Sequence, residues 1–559
     1  MQLPTALVPL RNGVFRHLWV ATVIGWLGTW LQNTGAGWLM TSLAPNPVIV
    51  AAVQAATIMP VFLLALPGGA LADIVDRRIF LTACQCWTFA AAALLAVLTI
   101  TGSMTAWWLL ALTFAIGIGN ALVNPAWNAV IPELVPREDL VQAIALNGIG
   151  FNLTRAVGPA LAGFLILVGG SGLTFSAYAL AILAPIAALL FWQRNSRHFT
   201  GLPRENFLPA MRAGMRFVRN TPAIQSAMVR TMAYSIPASA PWALLPLFVR
   251  HDLQLGAGMY GLILGAMGIG GVTSGLLLPK VRGKLSRGGT VMACTTLSCI
   301  GMVIVGLSHH WLPTAGGMLL FGLGWTSAFA TIQAAAQLVC PPWVRARALS
   351  IFQLAQNGAL TVGSFAWGWI GDQIGLSQTF LASAAVGIVL MLLVRFFSIE
   401  AIVRAAPKPS EVIAPLPEAP APEFVPILRH ARGSVMEMAY YRVEGGQRTE
   451  FLRLMNEVHQ LRGRTGATFW QLYSDVAHPE HWVEVWSMES WTEHLREVVR
   501  LSEDDKRLLA ALTVFQHDVE RPARLLAVNP QDHLAQAVER DHLRLAGAAY
   551  QVAEKRGHA

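Results

Sequence analysis

Long apolar stretches, each sufficient to cross a bilayer, follow one another from residue 17 to residue 399. Six precede a polar, arginine-rich segment at 194–222, and six follow it. They run near 17–43, 48–71, 79–101, 105–130, 139–168, 172–193, 223–250, 257–279, 289–308, 312–338, 346–371 and 377–399. About 20 apolar residues in a helix span the hydrocarbon core of a membrane. Because lipid cannot satisfy backbone polar groups, the pattern predicts an all-α polytopic membrane protein of two six-helix halves.

The distribution of charge supports a membrane-embedded body with a soluble tail. Only 13% of the 559 residues are charged, against about 25% in soluble domains. Residues 1–430 carry 24 Lys and Arg against 12 Asp and Glu, whereas residues 431–559 carry 16 against 19. The positive charge lies in the connections between apolar stretches, so we do not expect nucleic-acid binding. The five cysteines form no Cys-x-x-Cys pair, and we expect neither a metal nor a cofactor.

Basic residues occupy every second connection. They include Arg77, Arg137, Lys280, Arg345 and six arginines between 194 and 219. The alternate connections contain no Lys or Arg, and Arg250 is the only basic neighbour of one of them. The positive-inside rule then predicts that both termini are cytoplasmic.

A polar turn, G-A-L-A-D-I-V-D-R-R, separates the second and third apolar stretches. It resembles the loop between helices 2 and 3 of major facilitator superfamily (MFS) transporters. The resemblance implies a gate latch made by Gly69, Asp73, Asp76, Arg77 and Arg78, which would break when the two halves rock apart. The alternative is that these charges only fix the topology.

The fifth stretch contains G-F-N-L-T-R-A-V-G-P-A-L-A-G. It resembles the motif of MFS antiporters through Gly150, Arg155, Gly158, Pro159 and Gly163, although Phe164 stands where a second terminal glycine is usual. The resemblance implies export, whereas the alternative reading is helix packing alone.

Polar residues inside the apolar stretches are candidates for a substrate cavity. Arg155 lies mid-stretch, where a charge requires a watery cavity or a partner. Asn120, Asn124 and Asn128 recur at every fourth residue and share one helix face. The remaining candidates are Gln32, Asn152, Arg230, Gln333 and Asn357. Interhelical hydrogen bonds are the alternative role for the amides, and Arg230 could snorkel to the membrane surface. No Asp or Glu lies deep inside a stretch.

The two halves repeat at an offset of 205 residues. Gly117 and Gly119 match Gly322 and Gly324, for example. Internal duplication is typical of transporters whose site lies between the repeats.

Beyond a proline-rich linker at 404–430, the pattern β-α-β-β-α-β over 431–525 predicts a ferredoxin-like α+β domain. Its last strand is predicted at V-F-Q-H-D-V-E, residues 514–520, and a helical tail at 526–559. The domain resembles antibiotic-biosynthesis monooxygenases, which implies dimerisation. A pocket of His459, His481, His494 and neighbouring tryptophans is conceivable, but no catalytic residues are identifiable.

Together with P-E-L-V-P-R-E-D-L (132–140) and S-W-T-E-H-L-R (490–496), these motifs resemble the enterobactin-exporter-like, transmembrane secretion effector branch of the MFS. The resemblance implies a non-enzymatic, secondary-active exporter of siderophores or amphipathic drugs, driven by proton antiport, in the bacterial cytoplasmic (inner) membrane. Its partners would be a small-molecule substrate and the lipid bilayer. The alternative is a membrane-tethered enzyme or ligand sensor acting through the α+β domain. The expected divisions are 10–193, 194–222, 223–403, 404–430, 431–525 and 526–559.

Overall fold

The structure, a computed structural model, describes residues 5–74, 76–136, 139–192, 207–341, 343–396, 434–515 and 524–526. Most of them are helical. The helices of the first part are α1 (Gly13–Leu43), α2 (Pro47–Ile74), α3 (Arg77–Ile100), α4 (Ala106–Leu134), α5 (Leu140–Phe191), α6 (Phe207–Arg219), α7 (Pro222–His251), α8 (Ala257–Arg282), α9 (Arg287–Leu307), α10 (Trp311–Val339), α11 (Arg345–Ile374) and α12 (Leu376–Leu393).

Helix α5 consists of two segments separated by a backbone break. Gly169 has φ −138° and ψ 17°, and Gly170 has φ 71° and ψ −177°. A positive φ at Gly170 carries no penalty because glycine lacks a Cβ atom. The break lies where the sequence predicts a connection between two spans.

The apolar character of these helices agrees with a membrane environment. Nine helices in the described part of the chain, α5 among them, are long and apolar enough to cross a membrane. Helices α1 and α11, of 31 and 30 residues, are also long enough to cross a membrane. With α5 counted as two segments, the described residues contain twelve long helical segments.

Equivalent glycines of the two sequence repeats make equivalent packing contacts. A Cβ atom at Gly117 of α4 would collide with α2, and one at Gly119 would collide with α3. A Cβ atom at Gly322 of α10 would collide with α8, and one at Gly324 would collide with α9. Because close helix approach in membranes requires small residues, the repeat in sequence corresponds to a repeat in packing.

Two compact units divide the chain. The first contains residues 1–207, 223–340 and 346–406, and the second contains 208–222, 341–345 and 407–559. The second unit therefore includes most of α6 and the connection before α11, in addition to the C-terminal residues.

The second unit contains a four-stranded antiparallel sheet. Its strands are β1 (Val435–Arg442), β2 (Phe469–Ser474), β3 (His481–Met488) and β4 (Arg524–Leu526), in the order β2-β3-β1-β4. Three helices accompany it, α13 (Arg448–Thr465), α14 (Trp491–Arg500) and α15 (Glu503–Leu512). The core beneath the sheet includes Tyr441, Phe451 and Trp482.

The position of the last strand differs from the sequence-based expectation. Residues Thr513–Phe515 form a 3₁₀ turn, and the strand that pairs with β1 is Arg524–Leu526. The ring of Phe515 is buried and packs 5.4 Å from the ring of Phe451. The buried Phe515 therefore belongs to a 3₁₀ turn, whereas the alternating sequence pattern predicted that it would belong to a strand. Residues 516–523, the rest of the predicted strand, lie outside the described residues, as do 404–430 and 527–559.

Candidate functional site

A cavity of about 340 Å³ lies between helices of the two halves of the first unit. Helices α1, α2 and α5 contribute one wall, and α7, α8, α10 and α11 contribute the other. The lining includes Trp30, Asn33, Thr34, Gln54, Thr57, Phe151, Arg155, Trp242, Tyr260, Leu264, Trp325 and Leu360. A few polar groups in an aromatic and apolar wall are typical of small-molecule sites.

Arg155 brings a positive charge to this cavity from the middle of the first α5 segment. Its Nη2 donates a hydrogen bond to Oγ1 of Thr326 on α10, at 2.9 Å. A Cβ atom at Gly271 of α8 would lie 2.5 Å from Nη2, so the guanidinium occupies the space beside this glycine. The arginine of one half therefore lies against two helices of the other half and is hydrogen-bonded to one of them.

Close packing of α5 on α8 surrounds this contact. A Cβ atom at Gly163 would lie 2.8 Å from Cα of Gly261, and one at Gly268 would lie 2.6 Å from Cα of Ala156. Gly158 is similarly crowded by Trp30 of α1. Gly158 and Gly163 of the antiporter-like motif thus lie at close contacts between helices, which is the role that small residues have in membranes.

Aromatic rings form much of the cavity wall. The rings of Trp30 and Trp242 are 6.2 Å apart, with an interplanar angle of 31°. Those of Trp242 and Trp325 are also 6.2 Å apart, at 65°. Tryptophan and tyrosine supply a large apolar area with a polar edge, so this wall suits flat apolar groups.

The two halves are joined at the end of the cavity near Leu43 and His251. Arg250 of α7 donates to Oγ1 of Thr41 on α1 at 3.0 Å, and a second hydrogen bond reaches Ser42. The guanidinium of Arg250 also lies 5.3 Å from the ring centroid of Trp38, which stacks on Tyr260 at 5.7 Å.

A second contact joins the halves at the same end. Nδ2 of Asn46 donates to Oδ1 of Asp372 at 3.1 Å. Sequence reasoning noted Arg250 only as an exception to the charge pattern. That exception was the available signal, because a lone arginine beside connections that otherwise lack Lys and Arg is expected to have a specific partner.

The structure separates the predicted cavity residues. Among the candidates whose side chains are described, Arg155 lines the cavity, whereas Gln32, Asn120, Asn152, Gln333 and Asn357 are not part of its lining. Gln32 is almost fully buried, and Asn33, the next residue, lines the cavity instead. Nδ2 of Asn152 donates to the carbonyl oxygen of Gly148 within its own helix. The side chains of Asn124 and Asn128 lie outside the described residues.

Arg230 lies in a different cavity, of about 240 Å³, between α7, α9 and α12. Its Nη2 donates to the carbonyl oxygen of Arg395 at 3.4 Å. The cavity is also lined by Ser286 and Gly289 at the start of α9.

The predicted gate latch is described in part. Asp76 caps α3, because its carboxylate accepts from the backbone N–H groups of Arg78 and Ile79. Nε of Arg78 donates to the carbonyl oxygen of Leu189 at 2.9 Å, near the end of α5. The surroundings of Gly69 and the side chains of Asp73 and Arg77 lie outside what the structure describes.

The second unit contains a buried charged network. The carboxylate of Glu484, 0% exposed, accepts from Nε of Arg462 at 3.0 Å, from Tyr441 at 2.8 Å and from Trp470 at 3.0 Å. Nη1 of Arg462 donates to Glu497 at 2.9 Å. Burial opposes the charge of Arg462, but the two glutamates raise the pKa of its guanidinium above the ordinary value. The network is well satisfied by hydrogen bonds, which indicates a structural role.

Residues from outside the C-terminal sequence pack on this domain within the second unit. Nη1 of Arg212 on α6 lies 3.1 Å from Oε1 of Glu489, and Arg216 lies 3.6 Å from Oε2. The ring of Trp343 packs 6.0 Å from the ring of Phe217 on α6. The guanidinium of Arg500 lies 4.3 Å from the ring centroid of Trp343. The domain therefore contacts both α6 and the connection before α11.

The three histidines of the predicted tail pocket, His459, His481 and His494, have different partners. The ring of His459 stacks on that of Trp470 at 4.6 Å, whereas His481 lies beside His478. Nδ1 of His494 is 2.6 Å from Oε1 of Glu437. No group of three or more His, Cys, Asp or Glu within the described ranges is arranged to hold a metal ion.

The described residues form twelve long helical segments, seven of which line a polar and aromatic cavity, and this arrangement is that of a multi-pass membrane transporter. The chain belongs to the transmembrane secretion effector family of MFS transporters, whose profile matches residues 4–532. This membership and the spans identify it as a multi-pass protein of the bacterial inner membrane.

Named relatives and solved structures agree with this class. The chain is 23% identical to the staphyloferrin A transporter of Staphylococcus aureus over 369 residues, which cover 65% of this chain and 91% of that protein. It is 29% identical to the enterobactin exporter of Escherichia coli over 272 residues, which cover 47% of this chain and 62% of that protein. The named relatives are transporters, in agreement with a non-enzymatic function.

Two crystal structures share the fold. A bacterial homologue of the human lysosomal transporter Spinster has a TM-score of 0.53 and 13% identity, covering 73% of this chain and 98% of that one. The POT family transporter PepTSo has a TM-score of 0.57 and 12% identity, covering 70% of this chain and 98% of that one.

Proposed function

We propose that this protein is a secondary-active exporter that moves small molecules across the cytoplasmic membrane by alternating access. The central cavity is its substrate site, between six-helix halves at 10–193 and 223–403. The observation that carries this proposal is the position of Arg155, a charge in the middle of a membrane helix that lines a cavity between the halves. The contacts of Arg250 and Asn46 would be the gate that closes one end and must break for the site to face that side.

The substrate class and direction rest on relatives and motifs. A staphyloferrin A transporter and an enterobactin exporter favour siderophore-like substrates, and the aromatic wall is also compatible with amphipathic drugs. The motif from Gly150 to Gly163 favours export by proton antiport. The placement of Lys and Arg favours cytoplasmic termini, so the Arg250 gate would face outward. Asp73, with Asp76, Arg77 and Arg78, would form the latch on the cytoplasmic side.

The C-terminal domain is proposed to be a ferredoxin-like module with a regulatory, binding or dimerising role. Its strand order, β2-β3-β1-β4, is the order expected of a β-α-β-β-α-β ferredoxin-like sheet. Its contacts with Arg212 and Trp343 support regulation, because α6 ends three residues before α7 and the connection containing Trp343 leads into α11. The same contacts give a route by which a ligand or a second copy could act on transport.

Flux in proteoliposomes tests the transport proposal. The full chain would be reconstituted with an imposed pH gradient and a panel of catecholate and carboxylate siderophores, dyes and macrolides. We expect gradient-dependent movement of at least one compound, and its loss in Arg155→Ala but not in Arg16→Ala, since Arg16 is exposed on α1. Equal flux in Arg155→Ala and in the parent would refute the role of the cavity.

The role of the domain is tested by charge reversal. Arg212→Glu should reduce the transport rate by repelling Glu489, and the double change with Glu489→Arg should restore it in part. If neither variant alters transport, the regulatory role is wrong.

A further inference from the structure

The cavity contains a positive charge without a matching negative one. The only hydrogen-bond partner of Arg155 among the described residues is the hydroxyl of Thr326, and no carboxylate there lies within ion-pair distance. The residues that the structure describes in the lining of the cavity include no Asp or Glu. A charge at this depth is costly unless water or a counter-charge reaches it, so the site is electrostatically suited to an anion.

The rings around Arg155 add a second requirement. Trp30, Trp242 and Trp325 line the cavity, and the ring of Trp242 lies 6.2 Å from each of the other two. Tyr260 and Phe151 also line it. Ring faces alone would also attract cations. Because Arg155 lines the same cavity, cations are repelled, and the combination selects a flat ring that carries a negative charge.

We infer that the central cavity binds aromatic anions, with the anionic group against Arg155 and the ring between the tryptophans. This inference rests on the proposed transport function and narrows its substrate class. Neither of the two features would suffice alone, since an arginine without rings would accept any anion and rings without arginine would accept neutral or cationic compounds.

The charge of the substrate has a consequence for energetics. In the loaded transporter the cavity is close to neutral, because the anion offsets the charge of Arg155. In the empty transporter, which must change back to the inward-open state, the charge of Arg155 has no counter-charge. Each cycle therefore transfers the substrate's negative charge outward, and a membrane potential that is negative inside favours export. For a univalent anion, 100 mV shifts the equilibrium distribution by about 50-fold.

Binding to the purified full chain in detergent is the first test. The probes are 2-naphthalenesulfonate, a permanent aromatic anion, and hexanesulfonate, an aliphatic anion, followed by tryptophan fluorescence and calorimetry. We expect naphthalenesulfonate to bind at least tenfold more tightly than hexanesulfonate. Arg155→Gln should weaken its binding at least tenfold, and Arg155→Lys should weaken it less because the charge remains. Equal binding of the two sulfonates would overturn the aromatic requirement, and equal binding by Arg155→Gln would overturn the anionic one.

Release from proteoliposomes at equal pH on both sides is the second test. A potassium diffusion potential makes the lumen negative, and neutral 2-naphthalenesulfonamide serves as the matched control, with protein-free vesicles subtracted. We expect the potential to increase release of the sulfonate more than release of the sulfonamide, because only the sulfonate adds its own charge to that of any exchanged proton. An equal response of the two would overturn the coupling, because another ion would then carry the charge. Selective binding without any protein-dependent release would leave the ligand class standing and refute the transport function instead.

Discussion

Arg250 is expected to hold the outward end of the cavity closed. It bonds to Thr41 and Ser42 and lies over Trp38, and all three partners belong to the opposite half. A hydrogen bond to a charged group contributes about 1.5–3 kcal/mol, and an exposed cation–π contact about 0.5–1 kcal/mol. We add the lower values for the Thr41 hydrogen bond and the Trp38 contact and leave out the exposed Ser42 contact. Arg250 then stabilises the closed state by roughly 2 kcal/mol. Arg250→Ala should therefore raise the population open at this end up to about 30-fold relative to the closed one.

Accessibility of a cavity residue measures this shift. Val53 lines the cavity, and Val53→Cys would be introduced into a chain whose five native cysteines are replaced by serine. A membrane-impermeant maleimide, applied from the side of Leu43 and His251, should label the Arg250→Ala variant faster by up to the same factor. Arg250→Lys should be intermediate because it keeps the charge but not the planar fork. Arg287→Ala, at an exposed position, should label at the parent rate. Unchanged labelling of Arg250→Ala would refute the gate.

Three further outcomes follow from packing and charge. Gly163→Val should abolish transport, because even a Cβ atom there would lie 2.8 Å from the backbone of α8, whereas Gly148→Val, with nothing within 4 Å, should be tolerated in the same flux assay. Arg462→Met should lower the stability of the C-terminal domain by about 3–5 kcal/mol, measured by hydrogen exchange of β3 in the full chain, because a buried glutamate loses its cation. Arg453→Met, which removes an exposed pair, should cost less than about 0.5 kcal/mol. Burial favours the neutral form of Glu493, but two neighbouring arginines lower the pKa of its carboxyl below the ordinary value. Its contribution to stability should therefore persist at neutral pH and be lost as the pH falls below the usual glutamate range through the lowered pKa, and Glu493→Gln should remove that part of the pH dependence of hydrogen exchange.

Much of the fold could be predicted because membrane helices are marked by long apolar stretches. The sequence predicted a connection at 169–171, and the structure breaks α5 at Gly169 and Gly170. The start of the predicted last strand, at Val514 and Phe515, was wrong. Alternation over a short segment does not distinguish a strand from a turn that buries a single ring, here that of Phe515.

The candidate site was harder to predict than the fold. Arg155 was identifiable because a charge inside an apolar stretch demands a partner or water. The amides that line the cavity were not identifiable. Membrane helices are apolar on nearly every side, so their sequence does not show which side faces a cavity. Adjacent residues point about 100° apart on a helix, so Gln32 is buried while Asn33 lines the cavity. Stacking of Trp30 on a substrate could be considered from the sequence, but its grouping with Trp242 and Trp325 could not be predicted, since tryptophans occur equally at membrane interfaces.

The central claim, that transport requires the two halves to part at the Arg250 end, is tested by a reversible cross-link. A Cβ atom at Gly37 of α1 would lie 3.9 Å from Cβ of Pro246 on α7, within the range of a disulfide. The measurement is exchange of labelled substrate across proteoliposomes containing Gly37→Cys with Pro246→Cys, with each single variant as a control. We predict that oxidation abolishes exchange in the double variant only and that reduction restores it. Exchange at the parent rate by the oxidised, fully cross-linked double variant would contradict the account.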